Sequence, residues 1–327
     1  MNAVIGRALR IAQTRATRWA VGALTLGLAL WAVARSRHEV ADAMGQLEPG
    51  WLVLAVAATV GNVGLAALVW RSTLADLGSS LPLLVVGRIF FVGQLGKYLP
   101  GSVWPMVMQA ELGSDHGVPR RSAAAATVVT MLVSVSSGLT VVLATLPFVP
   151  DVLPSRFRWA VLLVLPLLVA LHPALLGPVI DRGLRMMGRP RLGQHTSVRG
   201  TAIAYGWAVL SWLSAGVQVW ALAVPLGAPR DLHTLALCAG GYALAWAVGF
   251  IVVISPAGAG AREAALWPVL ITVLANGPVL VVILISRVLF TLVDVALAGA
   301  GLAGLHTRER LRAEEPPVPL PDDRGGS

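Results

Sequence analysis

The chain has 327 residues, 56% of them hydrophobic and 13% charged, where an average soluble domain carries about 25% charged residues, so there is too little polar surface to cover a water-soluble globule. The formal net charge is +9 and the pI is near 11.2, but the arginines fall between apolar runs rather than along one polar face, which is a membrane-topology pattern and not a nucleic-acid footprint. Cys238 is the single cysteine and sits in an apolar run, which excludes an intrachain disulfide and a cysteine-based metal site and leaves the reading of a small buried apolar side chain.

Apolar runs bounded by charge occur near 19–34, 51–70, 122–148, 158–180, 200–225, 233–254 and 279–304, each of the order of the roughly 20 residues that cross a hydrocarbon core. Two more, near 83–110 and 255–275, are apolar but broken by Pro and Gly. The expected fold class is all-α: a polytopic transmembrane helix bundle with two Pro/Gly-broken segments, re-entrant or discontinuous. The length leaves room for roughly eight or nine crossings and short loops. Residues 1–306 are expected to form the transmembrane domain, and the Pro-rich, acidic stretch 307–327 a disordered cytoplasmic tail. Trp19, Trp51, Trp70 and Trp159 stand at span edges, where an aromatic belt at the lipid boundary is expected.

Arginine placement sets the orientation, because cytoplasmic loops keep an excess of positive charge. Arg7, Arg10, Arg15 and Arg18 precede the first run, and Arg182, Arg185, Arg189, Arg191 and Arg199 face only Asp181 in the longest internal loop. Both stretches are therefore expected inside, with both termini cytoplasmic in a multi-pass protein of the cytoplasmic membrane. The loops at 71–80 and 111–121 then also lie inside, so the broken segment between them enters and leaves on one face or crosses twice. This leaves Arg35, Arg37, Arg156 and Arg158 outside, in loops that also hold acids. Ala32, Val33 and Ala34 imitate a signal-peptide cleavage site, and an uncleaved anchor is the favoured reading.

No ATP-binding phosphate loop is present at Gly96-Lys97, since Phe91 stands where that loop needs glycine and Tyr98 where it needs Ser or Thr. The six histidines, at 38, 116, 172, 195, 233 and 306, show no zinc-type spacing. Neither a metal nor a cofactor is called for. No nucleophile stands beside a base, and no paired acid and base clusters, so no catalytic residue is assigned and an enzyme is not expected.

The informative blocks are the two breaks. Lys97, the single lysine among 25 basic residues, opens the block Lys97-Tyr98-Leu99-Pro100-Gly101-Ser102-Val103-Trp104. Proline removes a backbone donor and glycine relaxes the dihedrals, so the helix is expected to break at Pro100 and Gly101, which lipid tolerates only beside protein or a wet cavity. Helix restart leaves amides at the positive end of a helix dipole, close to the Lys97 ammonium, a combination suited to an anion. The second block, with Pro256, Gly258, Gly260, Arg262 and Glu263, repeats the plan. Paired Gly/Pro-interrupted segments point to a transporter's binding site, and an inverted repeat would account for them, although Pro100 to Glu111 and Pro256 to Glu263 are spaced differently. The plain readings stand beside these: Lys97 snorkels to the interface, and Arg262 with Glu263 caps the restarted helix.

The two blocks resemble the paired signatures of the lysylphosphatidylglycerol synthase transmembrane region, also called flippase-like, which is similar to the N-terminal half of the bacterial lysyl-lipid synthase and flippase. Lys97, Tyr98, Leu99, Pro100, Gly101 and Trp104 meet the first signature, and Pro256, Gly258, Gly260, Arg262 and Glu263 the second; Ala257 and Ala259 depart from it. The resemblance implies a role in moving or presenting polar lipids. It does not imply lysyl transfer, because the soluble transferring domain has no counterpart in the sequence.

Ionisable side chains within spans are costly and tend to face a cavity or a partner. Arg88, Arg287 and Asp294 are of this kind. Asp294 has two readings, a cross-helix pair with Arg88 or a coupling role shared with Glu111. His172 and Gln218 are expected to hydrogen-bond between helices, and Gly61, Gly64, Gly299 and Ala303 to let helices pack closely. The favoured function is a lipid flippase moving an anionic phospholipid or polyprenyl-linked lipid, its headgroup held by Lys97, Arg262 and the freed amides, with Arg88 or Arg287 assisting. The alternative is a non-transporting partner that docks a separate glycosyltransferase or lipid synthase through the basic loop at 182–199.

Overall fold

The computed structural model describes residues 45–98, 104–148, 164–186, 196–251 and 260–314. The expected first span at 19–34 with Trp19 and the cleavage-like Ala32 to Ala34, Trp159, and the expected break residues Pro100, Gly101, Pro256 and Gly258 lie outside them. The described residues are helical without a strand: α1 Pro49–Asp76, α2 Leu83–Gln94, α3 Trp104–Ser114, α4 Arg120–Thr145, α5 Val164–Ala170, α6 Pro173–Met186, α7 Val198–Ala223, α8 Leu232–Ile251, α9 Ala261–Leu270 and α10 Asn276–Glu314. Five segments are long and apolar enough to cross a membrane: Pro49–Asp76, Arg120–Phe148, Val198–Leu226, Leu232–Phe250 and Asn276–Ala303. This is the all-α polytopic bundle expected from the sequence. α10 runs on to Glu314, past the expected domain end at 306.

Local chemistry sets the helix ends. Pro49 opens α1, where its missing N–H is no loss. At the far end Gly78 takes φ 84° and the Ser79 N–H reaches back to the Leu74 carbonyl at 3.0 Å, a left-handed cap that only glycine adopts without strain.

α1 and α7 lie antiparallel, joined by polar side chains that a lipid environment leaves no other partner. Asn62 donates to the Ser211 carbonyl at 2.8 Å and to its Oγ at 2.9 Å, and Ser214 donates to the Ala58 carbonyl at 2.8 Å. A Cβ added at Gly61 would sit 2.9 Å from Ser214 Oγ, so the expected close packing holds there. It does not hold at Gly64 or Gly299, where an added Cβ meets nothing within 4 Å. Gln218 bridges as expected, accepting from Ser286 Oγ of α10 at 3.1 Å.

Three other expectations are corrected. Trp70 is not at the lipid boundary: it is fully buried, packs on Phe90 and donates to Thr127 Oγ1 at 3.2 Å. The run at 158–180 is not one continuous helix over its described part, which splits into α5 and α6. Pro173 has no N–H to give the preceding turn and drives the residue before it out of helical geometry. His172 therefore does not bridge helices; it is exposed and its Nδ1 accepts the Ala174 N–H at 3.4 Å at the start of α6.

α2 and α3 form a hairpin. Gly93, before the turn, would place a Cβ 2.5 Å from Gln109 Cγ, after it, and Gly96 would place one 2.8 Å from backbone atoms of Trp104 and Pro105. The two positions step away from the turn in opposite directions along the chain, which only side-by-side antiparallel arms permit. With 12 and 11 residues the arms are about 18 and 16 Å long, against about 30 Å of hydrocarbon. Neither helix alone is long enough to cross. α9, with 10 residues, is about 15 Å long and lies back along α8, where Gly241 faces Val269. Gly96→Ala forces side chain into backbone and is expected to cost about 1–3 kcal/mol, seen as a lowered melting temperature of the detergent-solubilised protein. Gly64→Ala, with open space around it, leaves the melt unchanged; equal melts for the two variants would refute the close approach.

Candidate functional site

Within the bundle lies a partly open cavity of about 380 Å³ that collects the ionisable groups of four separate elements. Arg287 and Asp294 belong to α10, and within the Asn276–Ala303 span they lie about 4 and 7 Å from its middle. Charge at that depth persists only where partners hold it.

Asp294 is 2% exposed, and both its partners come from the 3-10 turn Leu95–Tyr98 that ends the first arm of the hairpin. Lys97 Nζ stands 2.6 Å from Asp294 Oδ2, and Tyr98 Oη donates to the same oxygen at 2.6 Å. The Lys97 ammonium also lies 5.3 Å from the Tyr98 ring centroid. Asp294 Oδ1 is buried with no hydrogen-bond partner among the described residues. The expected pairing of Asp294 with Arg88 is replaced by this one. Arg88 lies half-buried on α2, packed where Gly301 of α10 makes room for it, and is not among the cavity-lining residues.

The second interrupted segment supplies Arg262 and Glu263. Gly260 takes φ 85° and its N–H donates to Glu263 Oε2, so Glu263 caps α9 as the plain reading expected. Its Oε1 accepts from Arg287 Nη1 at 3.0 Å, which ties α9 to α10. Arg262 does not pair with Glu263. It lies over the Tyr242 ring, 5.2 Å from the centroid, and donates to Tyr242 Oη at 2.6 Å. Among the described residues no carboxylate lies within ion-pair distance of it.

The remaining sequence candidates fall elsewhere. Glu111 is exposed and accepts from Arg120 at 2.7 and 2.9 Å, away from the cavity. Trp104 opens α3 with 41% exposure, its backbone against Gly96; its neighbour Pro105 lines the cavity instead. Sequence reading missed Asn62, Gln109, Trp212, Tyr242 and Trp246, which line the cavity. A signal for two of them was present: Asn62 is an amide within an apolar run, and Tyr242 is one of three tyrosines, another being Tyr98. Among the described residues no cluster of His, Cys, Asp or Glu could hold a metal ion.

Five apolar spans, two half-length interrupted segments and a partly open charged cavity define a polytopic integral membrane protein. The chain belongs to the family of the lysylphosphatidylglycerol synthase TM region, whose family model matches residues 18–299, and the family points to a membrane-lipid-related role. No curated protein matches the chain.

Breaking a buried ion pair leaves an uncompensated charge, at about 3–5 kcal/mol. Asp294 is buried but the Lys97 side chain is 32% exposed, so Lys97→Met is expected to destabilise the solubilised protein by less, about 1–3 kcal/mol, while Lys97→Met with Asp294→Asn recovers most of the loss. A double variant as unstable as the sum of the two single changes would show that the pairing is not what holds these residues.

Proposed function

We propose that the protein moves an anionic lipid across the cytoplasmic membrane, its headgroup in the cavity and its acyl chains in the surrounding bilayer. The observation that carries this reading is the charge of the cavity at mid-membrane depth. Three cations, Lys97, Arg262 and Arg287, face two carboxylates, Glu263 and Asp294, a net charge of +1. Both carboxylates are paired, and Arg262 is the cation whose charge no carboxylate balances. An anion that reaches Arg262 gains a charge-assisted hydrogen bond in low dielectric. Phe250 lines the cavity while 41% exposed, so the lining reaches the outside of the bundle at the end of α8. That gives acyl chains a side exit and spares them the polar interior.

In this reading two half-domains rock around the site held between the two interrupted segments, giving alternating access. The same reading puts both termini on the cytoplasmic side, which the excess of arginine in the loops assigned there supports. The side chains bind and release; none is assigned a covalent step.

The test is translocation of fluorescent-tailed phosphatidylglycerol in phosphatidylcholine proteoliposomes. The wild type is expected to exceed protein-free vesicles, and Arg262→Gln to lose about tenfold in rate at unchanged folded yield, with Arg262→Lys partly restoring it. Wild-type vesicles no faster than protein-free ones would overturn the reading and favour the partner-docking alternative.

A further inference from the structure

Resting on that reading, the lining of the cavity narrows the class of lipid. We infer that the headgroup is a single phosphodiester bearing a neutral cyclic polyol, a sugar or cyclitol ring, and that headgroups carrying an amine are rejected.

Charge is the first ground. A monoanionic phosphodiester brings the cavity from its net charge of +1 to neutrality. A zwitterionic amine headgroup leaves that excess positive charge in place, and a lysylated headgroup, with two ammonium groups against one phosphate, increases it. Each uncompensated charge in a low-dielectric site is costly. Among the described lining residues neither carboxylate charge is left to balance an ammonium: Asp294 is paired with Lys97, and Glu263 with Arg287 and the Gly260 N–H.

The uncharged lining is the second ground. Asn62 and Gln94, both half-buried, put side-chain amides into the lining, and an amide both donates and accepts, as a hydroxyl does, so the site offers hydroxyl-matching groups beyond the one anion position.

The third ground is aromatic. Trp212 and Trp246 both line the cavity with ring centroids 5.1 Å apart. The electron-rich face of an aromatic ring suits the C–H face of a saturated sugar or cyclitol ring. A simple phosphate has no such face.

The experiment is equilibrium binding to the purified full chain of four short-chain lipids: phosphatidylinositol, phosphatidic acid, phosphatidylethanolamine and lysylphosphatidylglycerol. Phosphatidylinositol is expected to bind at least about tenfold tighter than each of the others. Gln94→Leu is expected to weaken phosphatidylinositol by about tenfold and leave phosphatidic acid unchanged, while Arg262→Gln weakens both alike. Equal affinity for phosphatidylinositol and phosphatidic acid overturns the polyol inference and leaves the anion site standing. Tighter binding of lysylphosphatidylglycerol or phosphatidylethanolamine overturns the rejection of amines. Binding of none of the four overturns this inference and the transport reading together.

Discussion

The contact on which the site depends is the buried meeting of Lys97 and Tyr98 with a single oxygen of Asp294. Hydrocarbon offers no water to an unpaired charge or a freed backbone group, so a helix interruption at depth must be held by the rest of the protein. Here the interrupted hairpin is held by the one long continuous helix, α10, through an ion pair and a hydrogen bond that converge on one atom. α10 holds the second interrupted segment in the same way, through Arg287 and Glu263. One helix thus carries an acid for the first segment and a base for the second, seven residues apart, and both segments are fixed relative to each other without touching the same residue.

This arrangement gives the cavity its asymmetry. Because Lys97 and Arg287 are committed to carboxylates, they shape the field without being free of partners, whereas Arg262 rests on a neutral phenol. An arginine over an aromatic ring keeps its charge and part of its hydrogen-bonding capacity. The small-residue contacts elsewhere, such as Gly216 against the Ala239 backbone and Gly240 against Thr145, hold α7, α4 and α8 close enough for the polar lining to converge.

Much of this was legible in the sequence, for definite reasons. Apolar run length against bilayer thickness gave the spans, and the Pro/Gly clusters gave the interruptions, because both depend on local chain properties. Lys97, Arg262, Glu263, Arg287 and Asp294 stood out because ionisable groups in apolar runs are rare. What stayed hidden was pairing across distant segments: that Asp294 meets Lys97 and not Arg88, or that Arg262 turns to Tyr242 and not to its neighbour Glu263, follows from helix packing that no spacing encodes. Trp70 was misread for the same reason, since an edge position in the sequence says nothing of the Phe90 and Thr127 that enclose it. The break before Pro173 was visible in principle, and was passed over because the run around it is uniformly apolar.

The half-length arms of the α2–α3 hairpin also change the medium. A bilayer presents a polar solute with a low-permittivity slab whose penalty grows with the thickness left uninterrupted. Arms of about 18 and 16 Å bring a polar turn and an ammonium to the level of Arg287 and Asp294, near the middle of the slab. Where such a hairpin enters a bilayer, the insulating layer left beneath its turn is thinner than the full 30 Å or so of hydrocarbon, and the field across that remaining layer is correspondingly steeper.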